Sequence, residues 1–405
     1  MDDKPRDHAE LLMLDFAIRT GIGSDQFPSK RYLWTDAFAV FNFLSLYRFT
    51  SDEKHLRHAR RLIDLVHETL GRHHPDDTRE GWISGLGEEE GRAHPTRAGL
   101  RIGKPLVERT PDDPYEMRLE WERDGQYFHY LTKWMHALQC MHRVTQEQRY
   151  LTWAVELAQA AASGFLRETP SGQPYLCWKM SIDLTRPLVS SMGQLDPLDG
   201  YCSYEQLLTD AADPESVADL RLAADQMRSM CRDMTWLTDD ELGIGGTLTS
   251  AADLVSLLAS GALSQDELSE RVLDDGARSL ERYEKNNALG RNAESRLAFR
   301  ELGMAIGLRS VGPLTERINQ RRDRFREPDL LLSRVERIKS NLELADRILR
   351  FWVDETNQSA RTWTEHHDIN EVMLATAMID GDELLYSPAQ IEMKTTAHQM
   401  TQRRE

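Results

Sequence analysis

Two kinds of helical segment alternate along this chain, and that alternation narrows the fold more than any other feature. One kind is amphipathic. Residues 53–70, EKHLRHARRLIDLVHETL, put Leu56, Ala59, Leu62, Ile63, Val66 and Leu70 on one stripe and charge on the rest, so a single face asks for cover. Segments 8–20, 147–166, 214–235, 266–284 and 330–352 behave alike. The other kind is apolar or small nearly all round. DAFAVFNFLSLY at 36–47 has almost no face suited to water, and 124–142, 199–208, 247–260, 296–308 and 369–379 share that character. A helix of this sort must be enclosed by others. A hairpin made of one helix of each kind cannot bury its own faces, so hairpins must stack. The expected class is all-α: an (α/α)6 toroid of six helical hairpins, enclosed helices inside and amphipathic ones outside, with a long loop insertion near residues 71–123. An open solenoid or irregular bundle is the alternative, but it would leave one side of each apolar helix wet. One toroid domain is expected over 1–388, followed by a polar C-terminal appendage over 389–405. LTERINQRRDRFR at 314–326 reads as an extra polar helix.

Composition excludes some partners. The net charge is -17, which argues against nucleic acid and anionic membranes, since both need a basic footprint. Cys140, Cys177, Cys202 and Cys231 lie far apart with no zinc spacing, so they read as buried free thiols. No G-x-G-x-x-G follows a strand and no phosphate-binding G-x-x-x-x-G-K-[ST] is present. We therefore expect no cofactor and no metal. With no signal peptide and no run long enough to span a bilayer, the expected setting is cytoplasmic; a homodimer is compatible with the sequence.

The hairpin pattern resembles the six-hairpin glycosidase-like superfamily, which includes glycoside hydrolases, unsaturated-uronyl hydrolases and N-acylglucosamine 2-epimerase relatives. The resemblance rests on architecture over most of the chain, and no motif diagnostic of one member is present. It implies a cup at the ends where the inner helices begin, in which acidic and aromatic residues hold and transform a sugar.

The segments at those ends carry acids beside aromatics. They include RYLWTDA (31–37), LEWERDGQYFHY (119–130), QLDPLDGYCSYE (194–205) and RTWTEHHDINE (361–371). Glycoside cleavage needs two carboxyl groups flanking the bond, and Asp124, Asp199, Glu365 and Asp368 are the candidates. Asp36, Asp124 and Asp199 also stand where helix N-caps belong, so capping competes with catalysis for each. His366 and His367 beside Glu365 and Asp368 offer acid–base groups near neutral pH. Trp34, Asp36, Trp82, Tyr127, Tyr201 and Trp363 are expected to contact the sugar, with Trp178 bordering the cup from a second loop, YLCWKMSID at 175–183. The insertion carries His94, Arg97, Arg101 and Lys104, suited either to an anionic sugar or to ion pairs with Glu88–Glu90. Its GLRIGKPL stretch suggests a small β-hairpin. On the helix 124–142, His129, Lys133 and His136 form one polar stripe on an otherwise apolar surface, and His129 lies nearest the cup.

Three functions fit. The first is a glycoside hydrolase using paired carboxylates, with a small carbohydrate as substrate. The second, similar to the sugar 2-epimerases, pairs His366 or His367 with His129 or His94 for proton transfer. The third is a non-enzymatic helical-repeat scaffold. Terpene and lanthionine cyclase relatives are disfavoured because their acidic and Cys-Cys-His clusters are missing.

Overall fold

The computed structural model describes residues 4–23, 30–264, 267–286 and 288–379. The expected appendage at 389–405 lies outside the described residues. The chain divides into two compact units, Leu14–Asp233 and Met1–Met13 with Met234–Glu405. After α1 (Lys4–Arg19), the first unit holds α2 (Leu33–Thr50), α3 (Glu53–Leu70), α4 (Glu88–Ala93), α5 (Met117–Glu122), α6 (Phe128–Thr145), α7 (Gln148–Phe165), α8 (Asp196–Leu208) and α9 (Pro214–Met230). Its short strands are β1 (Gln126–Tyr127), β2 (Leu166–Glu168), β3 (Pro174–Leu176), β4 (Lys179–Met180) and β5 (Pro187–Val189). The second unit holds α10 (Glu241–Ser260), α11 (Leu268–Lys285), α12 (Ala298–Ser310), α13 (Leu314–Gln320), α14 (Pro328–Lys339), α15 (Leu342–Val353), α16 (Glu355–Gln358), α17 (Arg361–Thr364) and α18 (His367–Met378).

The all-α hairpin class expected from the sequence is the class observed. In the first unit α2, α6 and α8 are the enclosed helices. They pack side by side with α6 in the middle, and each is backed by its amphipathic successor α3, α7 or α9. Residues 33–46 of α2 are all buried, whereas α3 buries the stripe from Leu56 to Leu70. Large side chains inside this layer, such as Phe41, Phe43, Phe128 and Trp134, contribute roughly 1.5–3 kcal/mol each on burial. The turns follow from local chemistry. Ser51 and Gln146 end α2 and α6 in the left-handed conformation, at φ 57° and 60°. Asp52 then caps α3 by accepting from Lys54 N, and Asp213 caps α9 from Ser216 N; such caps contribute about 1 kcal/mol each.

In the second unit α10 packs on α11 and α12, and α12 packs on α15 and α18. Glycine explains how closely α10 meets α12. A Cβ on Gly245 would lie 2.2 Å from Gly303 O, and one on Gly307 would lie 2.4 Å from Gly245 O. The segment expected as one helix over 330–352 is two, broken at Ser340–Asn341, with α14 against α11 and α15 against α12. The polar segment 314–326 is α13 followed by a 3-10 turn at Arg322–Arg324.

The insertion departs from expectation. GLRIGKPL forms no hairpin; it is stitched to three other places. Arg101 N donates to Leu70 O, Leu33 N to Ile102 O, and Ile102 N to Gly125 O. The β structure lies elsewhere. β1, β4 and β5 form an antiparallel sheet in the order β1-β4-β5, and β2 pairs with β3. These strands of two or three residues are too short for a period-2 pattern to show. Gly125 carries φ 150°, and a Cβ there would sit 2.7 Å from Met180 O, so glycine lets β1 approach β4. Helix α6 consequently opens at Phe128 and not at Asp124.

Candidate functional site

Within the first unit, the starts of α2, α6 and α8 bring an aromatic cluster to two carboxyl groups. Tyr127 closes β1 and His129 and Tyr130 open α6. Trp178 comes from the loop just before β4, and Tyr32 and Trp34 from the start of α2. The rings interlock. The His129 ring lies nearly parallel to Trp178 (6.3 Å, 12°) and to Tyr127 (5.4 Å, 26°). Trp34 approaches His129 at 6.0 Å and Tyr130 at 5.4 Å, and the Tyr32 and Tyr130 hydroxyls are 2.6 Å apart. Lys104 lies 5.4 Å over the Tyr32 ring.

The carboxyl groups are Asp196 and Asp199, one turn apart on α8, a spacing that sets Cβ atoms roughly 5–6 Å apart. Their surroundings differ. Asp199 is tied on both oxygens, Oδ1 by the Lys133 ammonium and Oδ2 by Thr132 Oγ1 at 2.5 Å. Asp196 has no such cation. Its Oδ1 is 3.6 Å from His129 Nδ1, and both Asp196 Oδ2 and His129 Nδ1 lack a hydrogen-bond partner among the described residues. Burial, and then the Asp199 charge, push the Asp196 carboxyl up to about 7. Burial pulls His129 down, against the Asp199 charge, so the imidazole is neutral at ordinary pH. The His129 side chain nonetheless keeps 25% of its surface exposed, so a ligand can reach it.

Other residues expected at the site are occupied elsewhere. Asp124 is fully buried, with one oxygen on the Arg101 guanidinium and the other accepting from Gly103 N and Gly125 N, each at 3.0 Å. Arg101 also donates to Arg72 O and Thr69 O. This pair clamps the insertion to α3 and leaves Asp124 no free oxygen for acid–base work. Asp36 is paired with Arg31 at 3.1 Å and accepts from Tyr32 N. Asp199 is not a cap, because α8 begins three residues earlier, at Asp196. Trp82 is buried beneath Arg72 at 4.2 Å, and Tyr201 is buried within α8, so neither offers a face. His94 Nδ1 meets Glu156 of α7 at 2.5 Å, away from the ring cluster. Arg97 is exposed and 4.0 Å from Glu90.

The cluster WTEHHD belongs to the second unit. Trp363 is core, stacked on Trp352 at 5.7 Å. Glu365 is exposed beside Arg361 at 3.4 Å. His366 is exposed before α18, with its ring 5.6 Å from Phe299. His367 Nδ1 is 4.0 Å from both Asp368 and Glu371. These groups share one turn, but they spread around it and do not point into one buried set. Among the described residues, no three or more His, Cys, Asp or Glu side chains gather in a way that could hold a metal ion.

Comparison with known proteins adds little to this geometry. No protein-family model matches the chain, and no curated protein matches it. Among solved structures it is similar to cellobiose 2-epimerase from Spirochaeta thermophila DSM 6192, at 12% identity and TM-score 0.48, over 92% of this chain and 96% of that one. It is also similar to an unsaturated glucuronyl hydrolase specific for heparin, at 11% identity and TM-score 0.31, over 67% of this chain and 84% of the other. Both come from (α/α)6 toroid families. The superpositions are too loose to transfer chemistry, and the hairpins described above stand on their own.

Asp196, Lys133, Tyr32 and Tyr130 were not expected at the site. A signal for two of them is present in the sequence. Lys133 lies one turn after His129 on the polar stripe, and Asp196 lies one turn before Asp199.

Proposed function

We propose that the protein is a carbohydrate-active enzyme that cleaves glycosidic bonds in the cup of the first unit. One observation carries this reading: two buried carboxyl groups, one turn apart and differently paired, border a cluster of aromatic rings. Aromatic faces suit the apolar faces of sugar rings. Glycoside cleavage asks for one carboxyl that holds a proton and another that stays charged. Asp196 is the proton donor, being the carboxyl without a cation. Asp199, fixed by Lys133 and Thr132, is the standing negative charge. It keeps the proton on Asp196 and stabilises positive charge developing at the anomeric carbon. As the glycosidic C–O bond breaks, the Asp196 proton passes to the leaving oxygen. Water then adds its hydroxyl to the anomeric carbon and returns its proton to the Asp196 carboxylate.

The test is a reducing-sugar release screen over neutral and uronate oligosaccharides, repeated with Asp196→Asn. General acid catalysis contributes about 10²–10⁴-fold, so the variant should lose at least that lower factor in kcat. Unchanged turnover removes Asp196 from the role. A second reading, isomerisation beside a carbonyl, draws support from the neutral, unpaired His129 Nδ1. Solvent deuterium entering one carbon of an intact sugar supports that reading, whereas release of two sugars excludes it.

A further inference from the structure

Helix α5 displays a tryptophan that the core does not use. Trp121 is 47% exposed, although the loop around it is held firmly. Lys179 Nζ, fully buried, donates to Glu120 O at 2.7 Å, Arg123 O at 2.8 Å and Glu120 Oε1 at 2.9 Å. Arg109 Nε holds the other oxygen of Glu120 at 2.9 Å. Leu106 N donates to Glu122 O, and Asp124 N donates to Leu106 O. A shelf fixed on both sides in this way holds the exposed indole in one orientation, the rigid support that a binding surface requires.

The indole continues the ring cluster outward. Trp121 meets Trp178 edge to face at 5.1 Å and 76°. Trp178 in turn lies nearly parallel to His129 at 6.3 Å. A step of 5.1 Å is of the order of one sugar ring. The series therefore runs from the acid–base pair, past Trp178, to an exposed face at the rim. We propose that Trp121 forms an outer sugar-binding subsite, so that the preferred substrate is an oligosaccharide of at least two rings, with the second ring stacked on the Trp121 indole. This rests on the cup being a sugar site, and it adds that the insertion selects for chain length.

The test compares one-ring with longer substrates. The probes are methyl glycosides and the cello-, manno- and oligogalacturonate series of two to four units. The wild-type protein should show kcat/KM at least about tenfold higher for two rings than for one. Trp121→Ala should collapse that ratio toward unity, Trp121→Phe should restore most of it, and Met117→Ala, exposed on the same helix, should leave it in place. Equal losses on one-ring and two-ring substrates overturn the proposal. So does an unchanged ratio, or a shift in oligomeric state by light scattering, which would make the patch a protein contact. If Asp196→Asn abolishes turnover while Trp121→Ala leaves the ratio intact, the cup reading stands and the outer subsite alone falls. If no series is turned over, both fall together.

Discussion

At the scale of single residues the decisive contrast is between Asp196 and Asp199, which occupy one helix turn but are held differently, Asp199 by Lys133 and Thr132 and Asp196 by no cation. Asp196 is raised to about 7 by burial and by the Asp199 charge. As the acid in cleavage it must hold its proton, so kcat should fall as pH rises through about 7. Lys133 pulls the same group down; Lys133→Met should therefore move the alkaline limb of the pH–rate profile upward while lowering its height. A limb that stays in place separates Lys133 from the proton donor. The shift also carries a cost in stability. The folded state binds the Asp196 proton more tightly than the unfolded chain does. Its contribution is fully present below the ordinary carboxylate value of 3.8 and is lost as pH rises through about 7. Removing the titration with Asp196→Asn should thus raise Tm at pH 8 by roughly 2 °C, the effect of about 1–2 kcal/mol in a chain this large, and the gain should vanish by about pH 4. Melting curves at the two pH values check the sign. Only part of this site was legible beforehand. The stripe of His129, Lys133 and His136 on an apolar helix announced a polar inner face. What sequence could not show was that Asp124 meets Arg101, because that ion pair depends on how the insertion folds back onto α3.

At the scale of elements, α5 and the α10–α12 contact are the places where one substitution should tell most. Lys179 is fully buried, and its charge is opposed by burial and supported by Glu120. Lys179→Met removes three hydrogen bonds, two to Glu120 of α5 and one to Arg123, the residue that follows α5. Arg109 still covers one Glu120 oxygen, so the expected loss lies near the lower end for breaking a buried pair, roughly 3 kcal/mol, read as a lower urea midpoint. In the other unit, Gly307→Ala forces a Cβ to 2.4 Å from Gly245 O. The helices must part, at roughly 1–3 kcal/mol; an unchanged midpoint would mean that α10 and α12 adjust freely. The helices were legible because their apolar patterns run for many turns. α3 begins and ends at the residues the pattern marks, 53 and 70. The β1-β4-β5 sheet was not legible, since strands of two or three residues are defined by their partners rather than by their own sequence. The break at Ser340–Asn341 was missed because apolar positions continue in step on both sides of it.

At the scale of the whole molecule, net charge opposes what Lys104 offers beside Tyr32. Among the described residues, α10 is the one helix long and apolar enough to cross a membrane, yet 78% of its apolar window is buried, and its glycine contact with α12 is that of a core helix. The remaining question is substrate charge. Four arginines of the insertion are committed: Arg72 to Glu68 and Glu88, Arg92 to Glu68, Arg101 to Asp124, Arg109 to Glu120. Lys104 has no carboxylate partner among the described residues and lies over Tyr32. A uronate beside Tyr32 therefore meets the Lys104 ammonium and the long-range field of a chain carrying -17. These respond differently to salt. The far field fades beyond about 10 Å at 0.1 M ionic strength, while a contact at a partly sheltered rim is screened less. Raising salt should thus increase kcat/KM for a uronate oligosaccharide and leave a neutral one nearly flat. Lys104→Met should lower the ratio of uronate to neutral kcat/KM by up to about fivefold, the upper range for an exposed ion pair. It should also steepen the rise with salt, because repulsion alone then remains. A ratio that does not move with Lys104→Met would assign that ammonium to Tyr32 and to solvent.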